Sequence, residues 1–260
     1  MPLTLNPREV WRLVVPKEHG SWSLALEPVA LGLLAAPTRA GGGLALAVVA
    51  GFFARRPLKL LLQNRPDERR SLAAFTLVGL LALIVLGLAY GFSSTGWRPW
   101  VSLLPVGLAG LAFVWFDVRG ENRAGLAELT GAAAFAWLPA TFAMLAGWSW
   151  PAALALTAIM LARSVPTVLM VRTLLRRAKG QSVWRWPALV ANGAAVLLLA
   201  GLASGLKLPW LPVAVSALLF GRAIWYLMAP RPPFTARQLG ILEMLLGFLV
   251  VLTGAVSWLR

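Results

Sequence analysis

The sequence predicts an all-α polytopic membrane protein of about nine transmembrane helices, with its N-terminus cytoplasmic and its C-terminus outside. Three observations predict it. The 260-residue chain is 59% hydrophobic and only 13% charged, with mean hydropathy +0.77, where a soluble domain is about half apolar and about a quarter charged. Apolar runs long enough to cross a bilayer recur along its whole length. Its basic residues fall in alternate connections between those runs, as the positive-inside rule requires.

The spans read as roughly 20–36, 42–62, 72–92, 100–116, 125–147, 151–172, 187–205, 209–228 and 237–259. Turn chemistry separates them, in "PTRAGGG", "SSTGWRP", "GWSWP", "GLKLPW" and "APRPPF". With the N-terminus inside, every one of the 24 Lys and Arg residues lies on the cytoplasmic side or in the cytoplasmic half of a span, except Arg39, Arg98, Lys207 and Arg260. A wrong number of spans would scramble that division. Trp97, Trp100, Trp148, Trp150, Trp210 and Trp258 fall at the outer ends, as an aromatic belt. The polar tail before span 1 is too long for a cleaved signal peptide, and Glu27–Pro28 interrupts its apolar run. The chain reads as a single transmembrane domain over residues 1–260.

Composition also excludes whole classes of chemistry. The chain has no cysteine, which removes disulfides, thiolate catalysis and cysteine-bound metals. There is no phosphate loop, dinucleotide fingerprint or nucleophile elbow, and no His/Asp/Glu spacing suited to a transition metal. No metal or other cofactor is expected. The net charge of +15 is spread over separate loops on one membrane face, so the expected partner is the anionic bilayer surface rather than nucleic acid.

Ionisable residues within spans are costly and therefore candidate functional groups. Glu27 lies near the middle of span 1, on one broad face with His19 and Ser23 at steps of four. Arg163 lies near the middle of span 6, three residues before Pro166, where a kink is expected. Arg55, Arg56 and Lys59 occupy the cytoplasmic half of span 2, and Glu128 and Glu243 the cytoplasmic ends of spans 5 and 9. This polarity suggests a polar cavity opening to the cytoplasm, lined by spans 1, 2, 5, 6 and 9. Lys17, Glu18 and His19 would stand at its mouth, with Glu27 deeper and paired to Arg163 or Arg55. The loop basic residues Arg65, Arg69, Arg70, Arg176, Arg177 and Lys179 read as topology signals with snorkelling stems. Asp67 with Glu68, and Asp117 with Glu121, are flanked by arginines in "NRPDERR" and "FDVRGENR" and read as local ion pairs.

The segments "PKEHGSWSLALEPVALG", "RSVPTVLMVR" and "GRAIWYL…QLGILEMLLG" together resemble the YwiC-like family of bacterial integral membrane proteins, over nearly the whole chain. That resemblance implies a multi-pass protein of the bacterial cytoplasmic (inner) membrane. Nine spans with a cytoplasmic cavity are also similar to the UbiA superfamily of prenyltransferases. The stretch "GLAELTGAAAFAWLPA" resembles their span 5 and would put Glu128 on a family glutamate. The resemblance implies a UbiA-like bundle binding an isoprenoid diphosphate through Mg²⁺ held by two Asp-rich loops. Those loops depart here. Loop 2–3 keeps only Asn64 and Asp67 around Arg65-Pro66, and loop 6–7 has Arg172-Thr173 and then Arg176-Arg177, with no carboxylate.

Arginine can grip phosphate oxygens with a bidentate fork and no metal. The expected site is thus a metal-independent pocket for an isoprenoid or other anionic lipid, walled by Lys17, His19, Arg55, Lys59, Asn64, Arg163 and Arg172. Its carboxylates would be Glu18, Glu27, Asp67, Asp117, Glu128 and Glu243. The competing expectations are a small-anion or acid transporter and a non-catalytic binding subunit.

Overall fold

The structure, a computed structural model, describes residues 11, 13–14, 19–62, 69–119, 125–206, 209–230 and 234–258, with the backbone alone at 19–21, 113–114, 117–118, 125 and 127. Among the described residues from His19 onward lie nine α-helices: α1 His19–Ala35, α2 Arg39–Leu62, α3 Arg70–Thr95, α4 Leu104–Val118, α5 Gly125–Leu145, α6 Trp150–Ala178, α7 Trp186–Leu206, α8 Leu211–Met228 and α9 Ala236–Val256. A 3₁₀ helix, Arg98–Leu103, leads into α4. Each helix falls on one expected span. Six of them (α3 and α5 to α9) are long and apolar enough to cross a bilayer. α1 has an apolar stretch of only Trp22–Ala35, α4 has 15 residues, and the second half of α2 carries Arg55, Arg56 and Lys59.

Local chemistry sets the ends. α9 starts in a capping box, where Thr235 Oγ1 accepts from the Gln238 backbone N–H and Gln238 Oε1 accepts from the Thr235 N–H. Proline follows the N-cap in α6 and α8, where its missing N–H costs no helical bond. α6 runs six residues past the expected end of span 6. Arg176 and Arg177 sit in its last turn, where cations oppose the negative end of the helix dipole. Gly180 follows with φ +75°, a left-handed conformation open to glycine. Proline breaks neither helix: α1 passes through Pro28, as α6 passes through Pro166.

α6 is the hub, packed against α1, α5, α7, α8 and α9. The principal apolar cluster joins Leu31, Leu156, Ile159, Met160, Leu199, Leu219 and Val251 from α1, α6, α7, α8 and α9. α3 stands outside this bundle, packing on α2 and the 3₁₀ helix. Its outer face carries exposed Phe75, Val78, Val85, Leu86 and Tyr90, and α4 exposes Leu104, Leu108 and Leu111 at helical spacing. Water would penalise such surface at about 25 cal/mol per Å², and hydrocarbon does not, so these are lipid-facing sides of a multi-pass membrane protein.

Small residues let α3 approach α2. A Cβ on Gly43 would come 2.3 Å from the Gly87 carbonyl oxygen, and one on Gly87 would come 2.5 Å from the Gly43 carbonyl oxygen. Close backbone approach of this kind replaces hydrophobic driving force between helices in lipid. Gly91, one turn on, leaves space for Trp100, whose ring would lie 2.5 Å from an added Cβ. Trp100 is therefore buried, stacked on Phe92 at 4.4 Å between centroids and donating from Nε1 to Thr95 Oγ1. It packs inside rather than serving in the expected aromatic belt. Trp97, Trp150 and Trp210 are exposed at the same end.

Candidate functional site: a charged network inside the bundle

Four helices each place one ionisable side chain at a common point. Arg163, at the middle of α6, has a side chain only 3% exposed. Its Nη1 donates to Glu243 Oε2 of α9 at 3.0 Å, and its Nη2 donates to the Glu243 backbone carbonyl at 2.6 Å. Nη1 also donates to Thr167 Oγ1, one turn along α6. Nε faces Glu27 Oε2 of α1 at 3.5 Å, an ion pair without a formed hydrogen bond. Glu243 is shared: its second oxygen, Oε1, accepts from Arg222 Nη1 of α8. Glu27 in turn accepts from Ser23 Oγ, one turn back on α1.

The network is charge-balanced, with two guanidinium groups against two carboxylates. Balance is what permits burial, since an isolated ion in a low-dielectric interior is costly and a paired, hydrogen-bonded one is less so. Glu27 is its most accessible member, at 11% exposure against 3% to 8% for the others.

Gly247 makes room for Glu27. It lies one turn from Glu243 on the same face of α9, and a Cβ there would fall 1.7 Å from Glu27 Oε1. Gly247→Ala is expected to push the Glu27 carboxylate off Arg163 and to cost about 1–3 kcal/mol as an overpacked site. Combining it with Glu27→Ala should recover part of that loss in a double-mutant cycle of melting temperatures. Strict additivity of the two changes would refute the contact.

A narrow crevice between α6, α7, α8 and α9 reaches this point. Arg163 lines it together with Ser216, Leu219, Val250 and Thr253. It runs toward Pro212 and Thr253, near the start of α8 and the end of α9. The cavity expected from the sequence faces the other helix ends, among spans 1, 2, 5, 6 and 9. Carboxylates and a carbonyl surround Arg163, and one of the carboxylates is Glu27, an expected partner.

Arg172, about two and a half turns along α6 from Arg163, donates from Nη1 to Glu128 Oε2 of α5 at 2.9 Å, with both side chains about one-third exposed. Arg55 and Lys59 lie in the last part of α2. His19 begins α1 and Asp117 lies in the last turn of α4. Lys17, Glu18, Asn64 and Asp67 lie outside the described residues. Among the described residues no group of three or more His, Cys, Asp or Glu side chains could hold a metal ion.

Two of the residues read as topology signals donate to carbonyls at helix ends. Arg177 donates to the carbonyls of Leu227 at 3.1 Å and Ala229 at 2.7 Å. Arg70 donates to the Leu61 carbonyl at 3.1 Å. Arg185, from the same connection as Arg177, also donates to Leu227, at 3.0 Å. These are the last carbonyls of α8 and α2, which have no partner within their own helices.

Arg222 is the network member that sequence reasoning missed. The sequence places it only among the basic residues of the cytoplasmic side, near the end of span 8. Its signal was its position, a turn and a half inside α8 and level with Glu243.

Residues 15–140 match the family model described as YwiC-like protein. The resemblance to that family is thus found over this part of the chain, and the two later segments that suggested it lie beyond the match. Glu27 lies within the matched residues, whereas Arg163, Arg222 and Glu243 lie after them. No curated protein and no solved structure matches the chain.

Proposed function

From a multi-pass membrane chain that carries the YwiC-like match over residues 15–140, we propose a transporter of a small anion or acid, coupled to protons through the buried network. One observation carries this reading: Glu27, Arg163, Arg222 and Glu243 come from four different helices and contact one another within the bundle. Ionisable groups at membrane depth are expensive, and proton relays and substrate pathways are where they recur. A network that is neutral at rest gains or loses one unit of charge with each proton or anion. Its helices then have an electrostatic reason to rearrange. Glu27 is the entry point for the proton, being the most accessible carboxylate and the one with the longest ion-pair contact.

The test is uptake into proteoliposomes of radiolabelled acetate, lactate, phosphate and chloride, with and without an imposed pH gradient. Saturable uptake of at least one of them, accelerated by an inward proton gradient, is expected. Glu27→Gln keeps the shape and the Ser23 contact but removes the titratable group. It should abolish the acceleration while leaving gradient-independent flux. Absence of saturable flux for every solute would overturn the transporter reading. A thermal shift with geranylgeranyl diphosphate in place of flux would favour the amphiphile-binding reading instead, which draws its support from the one-third-exposed Arg172–Glu128 pair. Residence in the bacterial cytoplasmic membrane with the N-terminus inside remains part of the proposal, supported by the division of basic residues between the loops.

A further inference from the structure

Arg222 holds an unused recognition edge. Its side chain is 8% exposed, and its Nη1 donates to Glu243 Oε1. The other two donor atoms, Nε and Nη2, are buried and have no hydrogen-bond partner among the described residues. These two atoms form the side-on fork of the guanidinium, with parallel N–H bonds spaced to meet the two oxygens of one carboxylate. Leaving charged donors buried and unsatisfied is unfavourable by an amount comparable to a lost charge-assisted hydrogen bond. The guanidinium carbon also lies over the Tyr226 ring, one turn along α8, at 5.8 Å from its centroid, a cation–π contact. This aromatic neighbour offers the fork no carboxylate.

We propose that the Nε/Nη2 edge of Arg222 is the binding position for the carboxylate of a small organic acid. The proposal deepens the transporter reading and rests on it for its physiological sense. Three features support it. Planar carboxylate is the group that satisfies both orphaned donors at once. Arg163, the other buried guanidinium, directs both of its Nη groups at Glu243, which leaves Arg222 as the arginine with a fork to spare. Charge balance adds the third: the four side chains sum to zero, so a carboxylate arriving at Arg222 leaves the site one negative charge in excess. A proton on Glu27 or Glu243 restores neutrality. The favoured cargo is then a carboxylate together with one proton, and no bond other than that to the proton is made or broken.

The experiment is thermal unfolding of the full chain in a non-ionic detergent, with sodium acetate against sodium chloride at equal ionic strength. Ligand bound only by the folded state raises the melting temperature by mass action, and near-saturating acetate should raise it by about 5 °C or more in the wild type. R222K keeps a positive charge for Glu243 but has no fork, and it should lose the acetate-specific shift. No acetate-specific shift in the wild type overturns the proposal whether or not any variant folds. An equal shift in R222K overturns it too, by placing acetate elsewhere. The outcome is separable from that of the flux assay. An acetate shift that depends on Arg222 without transport leaves the site standing and removes the carrier. Transport without such a shift does the reverse.

Discussion

Arg163→Ala should cost about 3–5 kcal/mol of stability, because it leaves Glu243 and Glu27 buried without the cation that balances them. The side chains concerned are 3%, 7% and 11% exposed, so water cannot replace the lost partner. The substitution also removes the donor to the Glu243 carbonyl and opens a cavity at the helix that packs against five others. The 13 tryptophans give a fluorescence melt in detergent. At about 2–4 °C per kcal/mol for a chain of this size, the midpoint should fall by about 6 °C or more. Glu27→Ala should do less, since its contact with Arg163 is longer and Arg163 keeps Glu243. A fall of under about 2 °C for Arg163→Ala would mean that the network is solvated and carries neither the fold nor a proton.

Gly87→Leu should detach α3 from α2. The atoms in its way are backbone, the Gly43 carbonyl oxygen at 2.5 Å and the Ala47 nitrogen at 3.1 Å, so no rotamer change relieves the clash. Overpacking of this kind costs about 1–3 kcal/mol when neighbours can shift, and here a helix axis has to move. α3 has little else to hold it, since its outer face is exposed to lipid. The absence of cysteine makes the separation measurable. A cysteine placed at Ala47, which is 6% exposed, should react slowly with a maleimide in the parent chain and quickly once Gly87→Leu is added. Gly79→Leu is the control, because nothing lies within 4 Å of a Cβ at that position. Equal labelling rates in all three backgrounds would mean that the two glycines do not set the α2–α3 contact.

Much of this architecture is legible in the one-dimensional pattern. Apolar runs punctuated by Gly, Pro and charge locate the nine helices described from His19 onward, because in lipid a backbone must bond within its own segment and a run of about 20 apolar residues has few alternatives to a helix. The same reasoning misses the end of α6, since Arg176 and Arg177 look like loop residues until the helix dipole is counted.

Glu27, Arg163 and Glu243 stand out in the sequence for one reason, that charge inside an apolar run is expensive. Arg163 is one of the two partners the sequence suggests for Glu27, but the sharing of Glu243 between Arg163 and Arg222 is not legible there. Sequence distance says nothing about which faces of α1, α6, α8 and α9 meet, so neither the place of Arg222 beside Glu243 nor that of Gly247 beside Glu27 can be read from it. Arg163 and Glu243 are 80 residues apart and Arg222 and Glu243 are 21 apart, and no local rule pairs them. Composition and charge placement thus determined the class of protein and the residues worth asking about. Only packing could determine that two arginines share one glutamate, that a missing Cβ seats the other, and that one guanidinium edge has no hydrogen-bond partner among the described residues. Helix–helix register is a property of surfaces in contact, and a single chain read in order contains those surfaces without their pairing.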